Sequence, residues 1–234
     1  MRPTRYLRLS SQSLGIRLHG RRPVHLLHIG KCAGTALKQA LIDAPEPQKY
    51  QVVGHTHGVR MEDLPHPDEF FFVVRDPVDR FVSAFVSRQR EDAPRFRAPW
   101  SPAEAIAFSN FDSPAELGLA LADSGTRRAD AVESMNSIEH LRTSYWYWFA
   151  NPAALRRNTR RILWIGLQDS LDAQIPVLAE RLGLDSLVLP SDGAAANRSS
   201  GAGELPPAAR AALTEWYRRD YECLELCREI AARL

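Results

Sequence analysis

One short stretch near the N-terminus, HLLHIGKCAGTALKQAL, combines the residue types that bind anions. It reads as an apolar strand, a tight turn and the start of a helix, so free backbone N–H groups meet at a positive helix terminus. Gly30 and Gly34 let the main chain approach a ligand closely. Lys31 adds a positive charge and Thr35 a hydroxyl group. The stretch predicts an anion-binding loop, against the plainer interpretation of an ordinary strand-to-helix turn.

The order of residues in this loop excludes the P-loop motif of NTPases. That motif requires G-x-x-x-x-G-K-[ST]. Here His25 stands five positions before Gly30, and Cys32 follows the lysine. Arginine supplies nearly all the other positive charge of the chain, which indicates that Lys31 is chosen for its chemistry.

A second stretch, FFFVVRDPVDRFVSAF, places an arginine at the end of an apolar run that is typical of a buried parallel strand. Ligands of open α/β sheets gather at the carboxyl ends of such strands, which is where Arg75 falls. Ser83 follows eight residues later, on the next predicted helix. An arginine fork and a serine hydroxyl can hold a phosphate together. The alternative is a helix capped by Asp76, with Arg75 in a surface ion pair.

The stretch VVGHTHG supplies two histidines, His55 and His57, directly after a predicted strand. Histidine titrates near neutral pH, so either residue suits the work of a general base. Two other interpretations are surface loop histidines and a metal site that includes His25 and His28. Because His25 and His28 are three residues apart on a strand, they point to opposite faces, and we predict no metal site.

These motifs resemble those of the sulfotransferase family. HIGKCAGTAL resembles its 5′-phosphosulfate loop, commonly H-I-P-K-T-G-G-T, and VVRDPVDRFVSAF resembles its 3′-phosphate motif. The similarity covers residues 24–90 and continues more weakly to about residue 200. It is closest to the carbohydrate branch, which includes heparan sulfate 2-O-sulfotransferase-like enzymes. The chain departs at Gly30, Cys32 and Ala33, where proline, threonine and glycine are commoner, and Cys32 removes one hydroxyl that could contact the ligand.

The resemblance implies 3′-phosphoadenosine 5′-phosphosulfate (PAPS) as the sulfuryl donor, with no metal. The residues implied to hold it are Lys31, Gly34, Thr35, Ala36, Arg75, Ser83 and Arg198. The first four would contact the 5′-phosphosulfate group, Arg75 and Ser83 the 3′-phosphate, and Arg198 a further phosphate oxygen. Lys31 would stabilise charge on the leaving phosphate. His55, in a Gly-His context, would take the acceptor proton, with His57 supporting it or contacting the acceptor.

These residues need a scaffold that brings strand ends together. We expect strands at 24–29, 50–55, 69–76 and 160–167, and helices at 35–43, 76–91, 137–150 and 168–184. Shorter helices are expected near 101–109 and 113–122, and the chain closes with helix from residue 206. The alternation predicts an α/β fold with a parallel sheet. The resemblance specifies a P-loop-NTPase-like three-layer fold, with the central sheet flanked by helices.

Length and charge set the remaining expectations. The 234 residues, 44% of them hydrophobic, suit a single domain over 23–234. The preceding residues 1–22 hold six arginines and no acid, which predicts a solvated basic arm or one drawn to an acidic membrane surface. A net charge of +2 argues against nucleic acid as a partner. No run of 18 apolar residues predicts a membrane span, and three cysteines suit a reducing, cytoplasmic location.

Together these features predict a cytoplasmic PAPS-dependent sulfotransferase that modifies a hydroxyl group of a small-molecule or glycan acceptor. Two other functions stay open at this point. One is a small-molecule kinase that uses ATP and Mg²⁺, and the other is a nucleotide-binding scaffold without catalysis. The aromatic run SYWYWF, residues 144–149, is predicted to be core, with an acceptor pocket as the alternative.

Overall fold

The computed structural model describes residues 3–93, 97–190 and 204–234. These residues form two compact units. The first unit comprises the described residues up to 75, then 145–190 and 223–234, and it contains the β-sheet. The second comprises 76–144 and 204–222 and is helical. Arg198 lies outside the described residues, and the single domain over 23–234 stays a prediction.

The described residues contain four strands, all in the first unit, and helices in both units. The strands are β1 (Arg22–Leu26), β2 (Tyr50–Gly54), β3 (Glu69–Val74) and β4 (Ile162–Leu167). The helices up to residue 137 are α1 (Pro3–Leu18), α2 (Gly34–Asp43), α3 (Pro77–Gln89), α4 (Pro102–Asn110), α5 (Pro114–Ala122) and α6 (Gly125–Ser137). Those that follow are α7 (Glu139–Arg142), α8 (Trp146–Phe149), α9 (Pro152–Arg157), α10 (Leu171–Leu182), α11 (Pro207–Trp216) and α12 (Arg218–Ala231). Short 3₁₀ turns cover Met61–Asp63, Thr159–Arg161 and Gln168–Ser170.

The sheet is parallel throughout, with strand order β2-β1-β3-β4. The apolar run of β3 explains its central place, because Phe70 to Val74 are at most 2% exposed. Leu26 of β1 pairs with Gly54 on one side and Phe71 on the other, so these strands end close together. From β1 the chain crosses to β2 on one side and returns to β3 on the other, and in open α/β sheets ligands bind at the carboxyl ends beside such a reversal of strand order. The predicted α/β class, a parallel sheet flanked by helices, is confirmed.

The N-terminal segment corrects the prediction of a solvated arm. Pro3–Leu18 is a helix of the first unit, and its buried residues are Leu9, Ser13 and Ile16. Arg5 contacts the carboxylate of Asp63 at 3.4 Å, and Arg17 is bonded to that of Asp68. Both carboxylates have no exposed side-chain surface. Two of the arginines that suggested a tail, Arg5 and Arg17, therefore neutralise buried acids of the folded unit.

The Leu9→Ala variant tests how much the packing of α1 contributes to the stability of the protein. Leu9 is 2% exposed, so its truncation leaves a cavity and should lower the free energy of unfolding by about 2–5 kcal/mol. Leu14→Ala is the matched control on the same helix, because Leu14 is 58% exposed and should tolerate the change. Urea denaturation of both variants checks this. If the two variants are equally stable, α1 does not pack against the rest of the unit and the prediction of a solvated arm holds.

None of the helices in the described ranges has the length and apolar character needed to cross a bilayer. The predicted contact of the N-terminal residues with a membrane surface stays a prediction.

The second unit begins at Asp76, the residue that caps α3. The Asp76 carboxylate accepts from the N–H groups of Val78 (2.9 Å) and Asp79 (3.0 Å), and Pro77 occupies the first turn, as predicted. Ser83 lies on this helix, α3, and is 4% exposed. The helices of the unit share an apolar core that includes Phe81, Phe85, Phe108, Phe111, Leu117, Met135 and Leu213.

The aromatic helix predicted over 137–150 is wrong. The chain instead forms two short helices, α7 and α8, with an extended residue at Thr143 between them. The interruption falls where the chain passes from the second unit back to the first, just before Tyr145. The aromatic residues there are core, as predicted, since Tyr145 and Phe149 have no exposed surface.

Candidate active site

The loop between β1 and α2 has the backbone geometry of an anion site. Lys31 and Ala33 have positive φ angles of 66° and 60°, on either side of Cys32. Alternating backbone conformations of this kind turn successive N–H groups into one concavity, and this concavity sits at the N-terminus of a helix. Ala33, the N-cap residue of α2, makes no capping hydrogen bond through its side chain. The first-turn N–H groups of α2 are therefore candidates for contact with an anion.

Tyr145 joins this loop to the end of β3. Its hydroxyl lies 3.6 Å from Cys32 Sγ, accepts from the backbone N–H of Arg75 at 3.1 Å and donates to the Arg75 carbonyl oxygen. The Cys32 thiol is 1% exposed and also donates to the Gly30 carbonyl at 3.6 Å. Cys32 therefore faces the interior, which agrees with its exclusion from the predicted ligand contacts.

Arg75 carries a hydrogen-bond donor that suits a ligand. Its backbone is fixed by Tyr145, while Nε of its guanidinium is buried without a hydrogen-bond partner in the described part of the chain. A buried unsatisfied donor is costly, and an anion at this place would satisfy it. Ser83 belongs to the second unit, so its pairing with Arg75 stays a prediction.

The first turn of α2 is packed against a histidine. A methyl group at Gly34 would lie 2.2 Å from His28 Cδ2, so only glycine fits there. Thr35 is half-buried at the same turn. Ala36 is 7% exposed, which leaves its backbone N–H as the group that could reach a ligand. The His28 ring, 6% exposed, also lies with its centroid 4.0 Å from that of His57.

Gly34→Ala is expected to destabilise the protein by about 1–3 kcal/mol, because the new methyl group must displace the His28 ring or the start of α2. Gly15→Ala is the matched control. Gly15 lies inside α1, and a methyl group there would meet no atom within 4 Å beyond the backbone of its own helix, so the change should be neutral or stabilising. Thermal unfolding compares the two, and a Gly34 variant as stable as its control would contradict the packing described.

Three buried side chains of the first unit form a hydrogen-bonded chain. His55 Nε2 lies 2.8 Å from His25 Nδ1, and His25 Nε2 lies 2.9 Å from Asp68 Oδ2. His25, His55 and Asp68 are 0%, 5% and 2% exposed. His55 follows β2, His25 lies within β1 and Asp68 precedes β3, so three neighbouring strands hold them.

His55 and His57 have different surroundings, although they look alike in the sequence. Burial lowers the pKa of His55 to about 3, and the neighbouring His25 and Lys38 add to the effect. Lys38, on α2, donates to the His55 carbonyl. His57 is exposed; its Nδ1 donates to the His28 carbonyl at 3.3 Å, and Trp148 Nε1 donates to the His57 carbonyl at 2.9 Å.

The lowered pKa of His55 predicts a pH-dependent stability. Between about pH 6.5 and 3, the unfolded state binds a proton at this residue that the folded state does not. The free energy of unfolding should therefore fall as the pH drops through this window, by up to about 1.4 kcal/mol per pH unit from this group, with the full contribution present above it. His55→Gln should flatten the dependence. Urea denaturation of both proteins at about pH 5 and about pH 7 measures the difference; parallel losses would contradict it.

The four histidines that suggested a metal site fall into two separate pairs. His25 contacts His55 and His28 contacts His57, in agreement with the opposite faces predicted for His25 and His28. Within the ranges 3–93, 97–190 and 204–234, no group of three or more histidine, cysteine or carboxylate side chains could hold a metal ion.

Asp68 and Tyr145 are the site residues that the sequence did not indicate. Asp68 lies in the segment HPDEF without a recognisable motif, and Tyr145 is one aromatic residue among several. His25 suggested only a metal ligand. The sequence does hold a clue, since His25 is a polar residue inside an apolar strand and a buried polar group needs a partner.

Comparison with known proteins gives one finding. A family model described as "Sulfotransferase family" matches residues 15–226, which include every predicted site residue. No curated protein and no solved structure matches the chain.

Proposed function

Because this chain belongs to the sulfotransferase family, we propose that it moves the sulfuryl group of PAPS to a hydroxyl group of a carbohydrate or related acceptor. Sulfuryl transfer follows from the family, whose fold is the P-loop-like α/β type. One observation supports PAPS as the donor. The loop with positive φ at Lys31 and Ala33 is joined through Tyr145 to Arg75, whose buried Nε has no partner in the described residues.

The residues present fit the two anionic ends of this donor. Lys31 and the N–H groups of Gly34, Thr35 and Ala36 would hold the 5′-phosphosulfate at the helix terminus. Arg75 would hold the 3′-phosphate through its guanidinium. Ser83 and Arg198 are proposed as further phosphate contacts by family likeness. When bound, PAPS supplies an activated sulfuryl group on a phosphate leaving group.

The chain's own residues would then do two things. Lys31 and the loop N–H groups stabilise negative charge that develops on the leaving phosphate oxygen. His55 takes the proton of the acceptor hydroxyl at Nδ1, because its Nε2 is engaged with His25. The negative charge of a phosphosulfate at the neighbouring loop would raise the pKa of His55 from about 3 toward a catalytic range. His57, exposed beside His28, would contact the acceptor.

The carbohydrate acceptor is supported by motif likeness, namely the Gly-His context of His55 after β2. A panel of glycans, small alcohols and phenols, incubated with radiolabelled PAPS, tests it. Transfer to glycans is the expected result, and transfer to phenols alone would overturn the carbohydrate class.

Calorimetric binding tests the sulfuryl donor. The protein should bind 3′-phosphoadenosine 5′-phosphate without Mg²⁺ and prefer it to ADP. Arg75→Ala should weaken this binding about tenfold or more while leaving adenosine 5′-phosphate, which lacks the 3′-phosphate, unaffected. A preference for ADP with Mg²⁺ would support a kinase instead. Tight binding without transfer to any acceptor would support a non-catalytic scaffold.

A further inference from the structure

We propose that His25 and Asp68 are positioning residues that place the proton of His55 on Nε2 and leave its Nδ1 free to act as the base. The role of His55 as a base rests on the proposed function, but the arrangement of protons can be measured without any reaction.

Asp68 has a partner at each of its carboxylate oxygens. Oδ1 accepts from Arg17 of α1, and Oδ2 lies 2.9 Å from His25 Nε2. Burial alone would raise the pKa of this carboxyl, but the hydrogen bond from His25 is the largest of several effects that together outweigh burial and lower the pKa, the charge of Arg17 being a smaller one. Asp68 is therefore ionised at neutral pH. An ionised carboxylate only accepts hydrogen bonds, so His25 Nε2 must carry a proton.

The protonation of His25 then decides that of His55. Arg17 already supplies a positive charge to Asp68, so a second proton on the fully buried His25 ring would add an uncompensated charge. Neutral His25 with a proton on Nε2 has an acceptor at Nδ1. Since this atom lies 2.8 Å from His55 Nε2, His55 donates its Nε2 proton there. The unprotonated nitrogen of neutral His55 is then Nδ1.

The elements that carry these residues make the arrangement rigid. His25 pairs within β1 with Val53 of β2 and Phe70 of β3, and Leu26 accepts from the backbone N–H of His55 at 3.3 Å. Asp68 is held both by β3, which begins at the next residue, and by Arg17. A base mounted in this way keeps one orientation of its ring, as catalysis requires.

Asp68→Asn should reverse both histidine tautomers. Arg17 donates to the oxygen it faces, so the amide would turn its carbonyl to Arg17 and its NH₂ toward His25. His25 Nε2 would then accept a hydrogen bond from the amide, so the proton of the His25 ring would lie on Nδ1. That Nδ1–H group would donate to Nε2 of His55. The proton of His55 would then lie on Nδ1, the atom that needs a free lone pair in order to take the proton of the acceptor hydroxyl group.

Asp63→Asn is the matched control. Asp63 is also a fully buried carboxylate paired with an arginine of α1, Arg5, and it accepts from the backbone N–H of Arg60 at 3.1 Å. These bonds tie it to α1 and to its own 3₁₀ turn. The variant should lose stability comparably and leave both tautomers and kcat unchanged.

Long-range ¹H–¹⁵N spectra of histidine-labelled protein read the tautomers directly. The wild-type protein should show protons on Nε2 of His25 and His55, and Asp68→Asn should show them on Nδ1. The kcat of this variant should fall by roughly 10²–10⁴, with little change in the KM for PAPS.

A proton on Nδ1 of His55 in the wild-type protein would overturn the inference without the need for any variant. Reversed tautomers with an unchanged kcat would overturn the positioning role. A wild-type protein with the expected tautomers but no sulfuryl transfer would overturn the proposed function and leave the proton assignment standing.

Discussion

Lys31→Ala is expected to lower kcat by roughly 10²–10³, the usual loss when a group that stabilises transition-state charge is removed. Lys31 belongs to the loop whose N–H groups form the proposed phosphosulfate site, and no other lysine lies in that loop. Its side chain would act on charge that grows during the reaction, so KM for PAPS should change less than kcat. Steady-state kinetics with radiolabelled sulfate measures both constants.

Two control variants distinguish the effect of the Lys31 charge from the effect of its backbone conformation. Its φ of 66° is strained for any residue with a Cβ, so Lys31→Gly removes the charge while relieving the strain. Both variants should be equally slow if the ammonium group matters. Lys49→Ala removes another lysine, one that lies over the Tyr50 ring, and should leave kcat unchanged. A Lys31→Ala enzyme with a near-normal rate would remove this residue from the mechanism.

His55→Ala should reduce kcat by roughly 10²–10⁴, with nucleotide affinity nearly intact, because it removes the proposed base and no proposed phosphate contact. The pH dependence of kcat/KM gives a second test of His55 as the base. Since kcat/KM reports the free enzyme, and the pKa of His55 there is about 3, kcat/KM should stay level from about pH 5 to pH 8. A base with the ordinary histidine pKa of about 6.5 would instead lose activity below that pH.

His57→Ala is the comparison that can reverse this assignment. His57 is exposed and touches His28, so its loss should raise KM for the acceptor more than it lowers kcat. If His57→Ala abolishes turnover while His55→Ala does not, the base is His57 and the buried histidine chain has a structural role.

Local patterns predicted the scaffold well. The apolar run of β3, the Asp-Pro start of α3 and the glycine at the start of α2 each act within a few residues, and each is where it was expected. The loop proposed to bind an anion could be predicted for the same reason. Its residue types are contiguous, and the strand and the helix on either side of it are where the sequence predicts them.

The histidine chain was not predictable, because its members come from three strands. His25 lies 30 residues from His55 and 43 from Asp68, and they meet only because β1 lies between β2 and β3. The helix α1 was missed for a different reason. Its buried residues Leu9, Ser13 and Ile16 have helical spacing, but the arginines around them suggested a tail.

The hydroxyl of Tyr145 has a consequence for the architecture of the chain. Arg75 is the last residue of the first unit before the chain leaves it, and Tyr145 is the first residue after it returns. Both hydrogen bonds between that hydroxyl and the Arg75 backbone join these two residues. Residues 76–144, which belong to the second unit together with 204–222, therefore leave the first unit and re-enter it at two residues that are hydrogen-bonded to each other.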